Sequence, residues 1–220
     1  MNPEYMLDLM VRMAHHSTAI EGNSLTQGET KSVLIDQFIP RPMDLRELNE
    51  VLNYRKLLPY LEEHQDEEIS IEGIKEINRI IMENIDERGG QFKVTANAII
   101  GADFIPTPPY LVQGELKKWV DDLAWRMENG AKNDADKVEI IMSQHLRFER
   151  IHPFADGNGR TGRALMIWSC LHEGLVPVVI EKEQRGRYIN ALNRNDTKEL
   201  TAIALSIQEK ESERMKLFSV

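Results

Sequence analysis

The stretch His152-Pro153-Phe154-Ala155-Asp156-Gly157-Asn158-Gly159-Arg160-Thr161-Gly162-Arg163 is the most informative part of the chain. It holds an imidazole, one carboxylate, an amide, two arginines and glycines spaced for a tight phosphate loop, just ahead of an apolar helical run from Ala164 to Leu171. Glycines let backbone N–H groups approach an anion, and the start of a helix adds a positive dipole end. Arginines neutralise phosphate charge. Asp156 is the only acid in the segment, which fits a Mg²⁺ ion that takes its other ligands from phosphate and water, not from an all-protein cage. His152 can remove a proton from an incoming hydroxyl near neutral pH. Together these residues suit in-line displacement at phosphorus, driven by positioning and charge neutralisation. The competing account is a Gly-Asn-Gly turn with Asp156 in an Asx-turn and a solvent-facing histidine. It leaves the co-occurrence of base, acid, glycines and arginines unexplained.

Outward from this loop the chain reads as helices. Val138 to Ile151 is a long helix that leads straight into the loop, and another follows from Gly159 or Arg160 to His172. Upstream, Tyr5 to Ile20 is an amphipathic helix with Met6, Leu9, Met10, Met13 and Ala14 on one side. Thr26-Gln27-Gly28-Glu29 is a capping box opening a helix to about Phe38, ended by Pro40 and Pro42. Leu45 to Leu61 keeps helical spacing, with a kink or break expected at Pro59. Ser70 caps a helix carrying Ile74, Ile77, Ile80 and Ile81, and Leu116 to Met127 forms the apolar face of a later one. Val94 to Ile105 is the best strand candidate, a short hairpin turning near Gly101. Two more helices cover about Glu181 to Asn193 and Thr197 to Met215. The fold class is therefore all-α with one small β-hairpin.

The loop is identified as the Fic motif, HPFx(D/E)GNGRxxR, matched at every fixed position. The resemblance is to Fic-domain adenylyltransferases, which move AMP from ATP to a protein hydroxyl, and it covers about residues 10 to 205. Gly89 to Pro109 resembles the family's flap hairpin, placed at about 92–106, with Ile99, Ile100 and Gly101 as its target-facing part. The resemblance implies a Fic-type helical bundle, one domain over residues 1–220. It makes His152 the general base, Phe154 a buried anchor, and Asp156 the Mg²⁺ ligand. Gly157, Asn158 and Gly159 become the anion cradle, and Arg160 and Arg163 contact the phosphate tail. Tyr188 and Asn195 border the nucleotide. Gly159 favours AMP transfer, because the related Doc kinases carry a lysine there. Lys93 departs from the arginine of many relatives, keeping a charge but losing a fork.

Ser17-Thr18-Ala19-Ile20-Glu21-Gly22 resembles the family's inhibitory motif, (S/T)xxxE(G/N), and marks about residues 4–21 as an inhibitory helix. The residues carry independent interest. Gly22-Asn23 is a helix stop, so Glu21 lies in the last turn, facing the negative dipole end. Ser17 is one turn back on the same face. A carboxylate so placed invites a cation, and the resemblance nominates Arg163.

Composition narrows the classes. At 220 residues the chain is one large or two small domains, and its net charge of −9 argues against nucleic-acid or anionic-membrane partners. The acid-rich run Glu62 to Glu68 reads as a solvated connection. Cys170, the single cysteine, lies among apolar residues and reads as a buried, inert thiol. His145 lacks any zinc-like spacing and reads as a core or capping histidine, while His15 and His16 straddle an edge of the first helix. No signal pattern or spanning run is evident, and a reducing cytoplasm is the simplest compartment.

The leading expectation is an autoinhibited protein adenylyltransferase using ATP and Mg²⁺ on a Ser, Thr or Tyr hydroxyl of a protein, releasing pyrophosphate. Self-modification and homo-oligomerisation are compatible with it. The alternatives are a de-AMPylase in which Glu21 aligns water, and a non-catalytic ATP-sensing module or toxin–antitoxin partner. An intact His152 and Asp156 weigh against the last, because binding alone needs no base.

Overall fold

The structure, a computed structural model, describes residues 2–99 and 102–218. Ten α-helices and one 3₁₀ turn are found among them: α1 (Pro3–Ile20), α2 (Gln27–Leu34), α3 (Leu45–Leu52), α4 (Tyr54–Glu63), α5 (Ile71–Ile81), α6 (Pro109–Gly130), α7 (Asp134–Ile151), α8 (Asn158–His172), the 3₁₀ turn Lys182–Gln184, α9 (Arg185–Arg194) and α10 (Thr197–Lys216). Local chemistry sets most of the starts. Thr26 and Glu29 form the capping box of α2, Ser70 accepts from the Gly73 N–H at α5, and Asn133 and Asp196 cap α7 and α10.

The centre of the molecule is α8. Every residue from Arg160 to Leu171 is buried, as expected of a helix with no polar face. Two apolar clusters meet on it. Ala164, Leu165, Ile167 and Trp168 pack into the core built with α1, α4, α5 and α6, and Met166 and Cys170 pack into a second with α7, α9 and α10. Cys170 is fully buried, and burial pushes its thiol up to about 12, so it is inert at neutral pH.

Helix α1 lies against α8 and is tied to α10 by charge. Glu211 of α10 receives both guanidinium nitrogens of Arg12 (2.5 and 2.7 Å) and the Tyr5 hydroxyl (2.6 Å), while Asp8 pairs with Arg12 and Arg214. His15 and His16 are both buried, not at the edge of α1. His16 accepts the Lys182 N–H at 3.3 Å, a long-range contact that periodicity alone does not reveal.

Two boundaries differ from the sequence expectation. Helix α2 stops at Leu34, because Gln37 enters the left-handed region (φ 53) and the Phe38 N–H turns back to the Ser32 carbonyl at 3.0 Å. The break between Leu45 and Leu61 falls at Asn53, not Pro59. The Asn53 amide is used to hold the carbonyls of Ile81 and Glu83 (both 2.9 Å). Pro59 stays inside α4, and the carbonyl its ring displaces belongs to Arg55, an exposed residue on the watered side.

The expected β-hairpin is corrected. Among the described residues of 92–106 there is no strand, only an isolated bridge between Phe92 and Phe154. Ile100 and Gly101, the expected turn, lie outside the described residues; Ile99 is half-buried and its carbonyl accepts the Ala102 N–H at 3.1 Å. Val94 (88% exposed) and Ile105 (93%) have no apolar face to cover. A lone two-stranded ribbon is marginal without one. The segment instead spends its polar groups on the motif loop, through Lys93 and Asn97, while Thr107 just beyond it donates its N–H to the Arg150 carbonyl of α7.

Removing Glu211 strips Arg12 of its two-point partner, leaving it only Asp8, which Arg214 shares, and orphans the buried Tyr5 hydroxyl. Glu211→Ala is expected to destabilise the fold by about 3 kcal/mol, read as a lowered urea midpoint. A midpoint equal to that of the parent protein would show that α10 does not anchor α1.

Candidate active site

The motif loop is built at the junction of α7 and α8. His152 ends α7 as a left-handed cap (φ 49, ψ 61), its N–H donating to the Phe148 carbonyl at 2.9 Å. Phe154 is fully buried and pinned from both backbone sides by one amide: Asn158 Oδ1 accepts its N–H (2.8 Å) and Asn158 Nδ2 donates to its carbonyl (2.9 Å). Gly157 is also left-handed (φ 77), and a Cβ there would lie 2.7 Å from Met82 Sδ, so glycine is required twice over. Asn78 of α5, buried, donates to the Asp156 carbonyl and Thr161 Oγ1 (both 3.1 Å) and accepts from Gly90 N–H (2.9 Å). Sequence reasoning missed Asn78, an unremarkable amide among isoleucines.

Arg163 is 5% exposed in the second turn of α8. Its Nε donates to Ser17 Oγ (2.9 Å), and its Nη2 donates to the Ser17 carbonyl (2.8 Å) and to Glu21 Oε1 (2.7 Å). The sequence pairing of Ser17, Glu21 and Arg163 is thus brought together in space. A Cβ on Gly159 would land on Glu21 Oε1 and 3.0 Å from Arg163 Nη1. The Glu21 carboxylate therefore rests on the first turn of α8, where backbone N–H groups have no intrahelical partner and favour an anion. It occupies the kind of place a phosphate oxygen would take. Burial pushes the Glu21 carboxyl up, but the Arg163 charge and hydrogen bond outweigh it, so the net shift is downward and Glu21 is ionised.

Asp156 and Arg160 are engaged from α3. Asp156 accepts from Arg46 at 2.5 Å and from the Gly157 N–H at 2.6 Å. Arg160, 3% exposed, lies 3.0 Å from Glu50 and 3.7 Å from Asp156. Arg46 and Glu50 were not foreseen; their i,i+4 spacing on one helix was the available signal. Among the described residues no group of three or more His, Cys, Asp or Glu side chains could hold a metal ion. Asp156 alone fits Mg²⁺ only if substrate oxygens complete the shell. Tyr188 is fully buried, its hydroxyl 2.7 Å from His145 Nε2, and Asn195 is an exposed left-handed cap of α9.

His152 is half-buried, with Nδ1 buried and lacking a hydrogen-bond partner. Burial, helped by the nearby Lys93 charge, lowers its pKa to about 4. The imidazole is therefore unprotonated and competent as a base at neutral pH. Behind Arg163, burial lowers His145 to about 3 and raises Glu149 to about 7. A cavity of about 560 Å³ lined by Val120, Leu123, Trp125, Lys137 and His172 sits at the opposite end of α8 and holds none of these groups.

Residues 68–170 match the model of the Fic/DOC family. The chain carries a Fic domain. It is 32% identical over 184 residues to protein adenylyltransferase fic-1 of Caenorhabditis elegans, covering 81% of this chain and 35% of that protein. It is 32% identical over 181 residues to protein adenylyltransferase Fic of Drosophila grimshawi, covering 81% and 36%. The chain thus spans about a third of the length of these curated relatives. A solved fragment of Caenorhabditis elegans Fic-1 superposes with a TM-score of 0.81 at 29% identity, over 98% of this chain and 63% of that one. A Fic domain containing signaling protein from Bacteroides thetaiotaomicron shares the fold, with a TM-score of 0.84 at 23% identity over 93% and 85%. No helix of the chain, among the described residues, is long and apolar enough to cross a membrane.

The buried histidines set a pH dependence of folding. Unfolded histidine binds a proton below about 6.5, whereas folded His16 and His152 stay neutral to about 4 and His145 to about 3. The unfolded chain then binds more protons through that window, and stability falls as pH falls. Glu149 runs the other way, staying protonated in the fold up to about 7. Three groups against one give a net loss of about 2–4 kcal/mol between pH 7 and 5. Urea unfolding at pH 7, 6 and 5 checks this; a midpoint that holds steady or rises toward pH 5 contradicts it.

Proposed function

We propose that this Fic domain, taken as one unit over 1–220, is an autoinhibited protein adenylyltransferase. The observation that supports the reading best is the Ser17–Glu21–Arg163 contact at the first turns of α8, inside the motif that would bind phosphates. In the reaction, His152 Nε2 takes the proton of a Ser, Thr or Tyr hydroxyl on a target protein. The hydroxyl oxygen bonds to the α-phosphorus of ATP, the bond to the β-phosphate oxygen breaks, and pyrophosphate leaves. Backbone N–H groups at Asn158 and Gly159 would meet phosphate oxygens. Asp156, released from Arg46, would hold Mg²⁺, which supplies charge neutralisation on the phosphates.

Glu21 takes the place and the partner that the end of the phosphate tail needs. With Arg163 diverted, the α-phosphate is held off the line of attack. Misplacement by about 1 Å can cost on the order of 10²-fold in rate. A second reading is favoured by the ionised state of Glu21, whose side chain is 41% exposed: it could align water against an AMP-modified side chain, which makes the same domain a de-AMPylase.

Incubation with labelled ATP and Mg²⁺ separates these. Glu21→Gly is expected to raise labelling of self or target by on the order of 10²-fold, and adding His152→Ala should lower it again by about 10²–10⁴. De-AMPylation predominates if Glu21→Gly instead abolishes release of AMP from a modified protein without any gain in labelling. Labelling equal in wild type and Glu21→Gly, with no AMP release by either, removes the inhibitory role of α1.

A further inference from the structure

The segment expected to be a hairpin reaches the catalytic turn with its side chains. The Lys93 N–H donates to the Pro153 carbonyl at 2.9 Å. Its Nζ donates to Asn97 Oδ1 at 2.8 Å and to the Ile151 carbonyl at 3.4 Å. Asn97 Nδ2 donates to the Phe154 carbonyl at 3.1 Å. The carbonyls of Ile151, Pro153 and Phe154 are therefore all held by residues 93 and 97, and His152 sits between them. His152 is a non-glycine residue in the left-handed region (φ 49), a conformation that persists only where surroundings enforce it. The Ile151 carbonyl is the last of α7, where a cation satisfies an orphan acceptor and the negative dipole end.

We propose that Lys93 is a positioning residue for His152, with Asn97 completing a brace that fixes the angle of the imidazole and sets one positive charge near it. This rests on the adenylyl-transfer reading for its rate consequence, but not for its effect on the histidine itself. Lys93 is 5% exposed, and among the described residues no carboxylate pairs with it. Burial without a counter-charge pushes its ammonium down to about 8. The charged groups acting on His152 are Lys93 from this segment, Glu21 from the end of α1 and Asp156 from the loop, the last two favouring the imidazolium. Lys93 opposes them. Burial does most to keep the ring neutral before reaction, and the Lys93 charge adds to it and makes the imidazolium a readier proton donor afterwards. Below about pH 8 the ammonium is charged and the brace is complete; above it the charge is lost first from Lys93, leaving the neutral amine.

A purely structural C-terminal cap would fix the turn without altering the titration of His152, and that difference is measurable. NMR titration of the His152 ring in the full chain is compared in wild type, Lys93→Met, Lys93→Arg and Asn97→Ala, and labelling is measured for the same changes on the Glu21→Gly background. Lys93→Met should raise the His152 pKa by about one unit or more, and lower labelling about tenfold or more with ATP affinity held within about twofold. Lys93→Arg should restore the titration and most of the rate. Asn97→Ala keeps the charge and loosens the turn, so its rate should fall with the smaller shift in titration. If Lys93→Met does not fold, Lys93→Arg and Asn97→Ala carry the test. An unmoved His152 titration in Lys93→Met, or in its absence full activity in Asn97→Ala, overturns the proposal. If no variant labels anything but the His152 titration moves as stated, the brace stands and the adenylyl-transfer reading fails instead.

Discussion

The rest of this domain is arranged around one guanidinium. Arg163 sits in a helix that is buried on all sides, and a charge there is tolerable only if its hydrogen bonds are met inside the protein. Helix α1 meets them with three acceptors from two residues: the hydroxyl and carbonyl of Ser17 and the carboxylate of Glu21. The Ser17 carbonyl is available because α1 ends three residues later, at Ile20, so the helix terminus itself supplies an orphan acceptor. Glu21 is disfavoured by the same terminus and is recompensed by the cation. The contact therefore solves two local problems, an internal charge and an ill-placed carboxylate, with one pair. The competition with a phosphate that the proposed function requires has its basis in position: the carboxylate lies on the first turn of α8, where anions are favoured.

The pair holds only if α1 is held. The Arg12–Glu211 and Tyr5–Glu211 bonds fasten the helix one to three turns before Ser17, and Arg214–Asp8 adds a second tie to α10. These bonds are far from the motif in sequence and touch none of it. Release of Arg163 accordingly does not require α1 to leave the bundle. On the proposed reading Arg163 loses only the carboxylate: a rotamer change at Glu21, beside the stop at Gly22 (φ 105), withdraws that partner while Ser17 keeps its two bonds to the guanidinium.

Much of the fold was legible because its signals are local. The capping box at Thr26, the Ser70 cap and the glycine stop at Gly22 each act within four residues, and each element starts or ends there. What was not legible depended on distant partners. Pro59 carries the stronger break signal than Asn53, but the Asn53 amide is drawn off to the end of α5 while the proline faces water. The apolar run at 94–105 has strand composition without a sheet to join, so the flanking polar residues decided its course. At the site, the motif residues were readable one by one, yet the groups that hold them were not. Asn78, Arg46 and Glu50 carry no pattern of their own, and each contacts the motif across more than seventy residues of chain.

Gly159 joins the two halves of the argument. Family resemblance gives it a role in substrate orientation, since a side chain there would stand in the phosphate cradle. The geometry adds a second requirement that needs no nucleotide. Any Cβ at 159 would collide with Glu21 Oε1 and crowd Arg163. The position is an ordinary helical one with no left-handed backbone to demand glycine, so the constraint comes wholly from what approaches it. In this structure that visitor is a carboxylate from α1; on the proposed reading a phosphate would take its place in a nucleotide complex. Both are anions seeking the same N–H groups, and a bare backbone admits either. The absence of a side chain at Gly159 leaves a place that Glu21 occupies here and that, on the proposed reading, Glu21 and the phosphate tail cannot share.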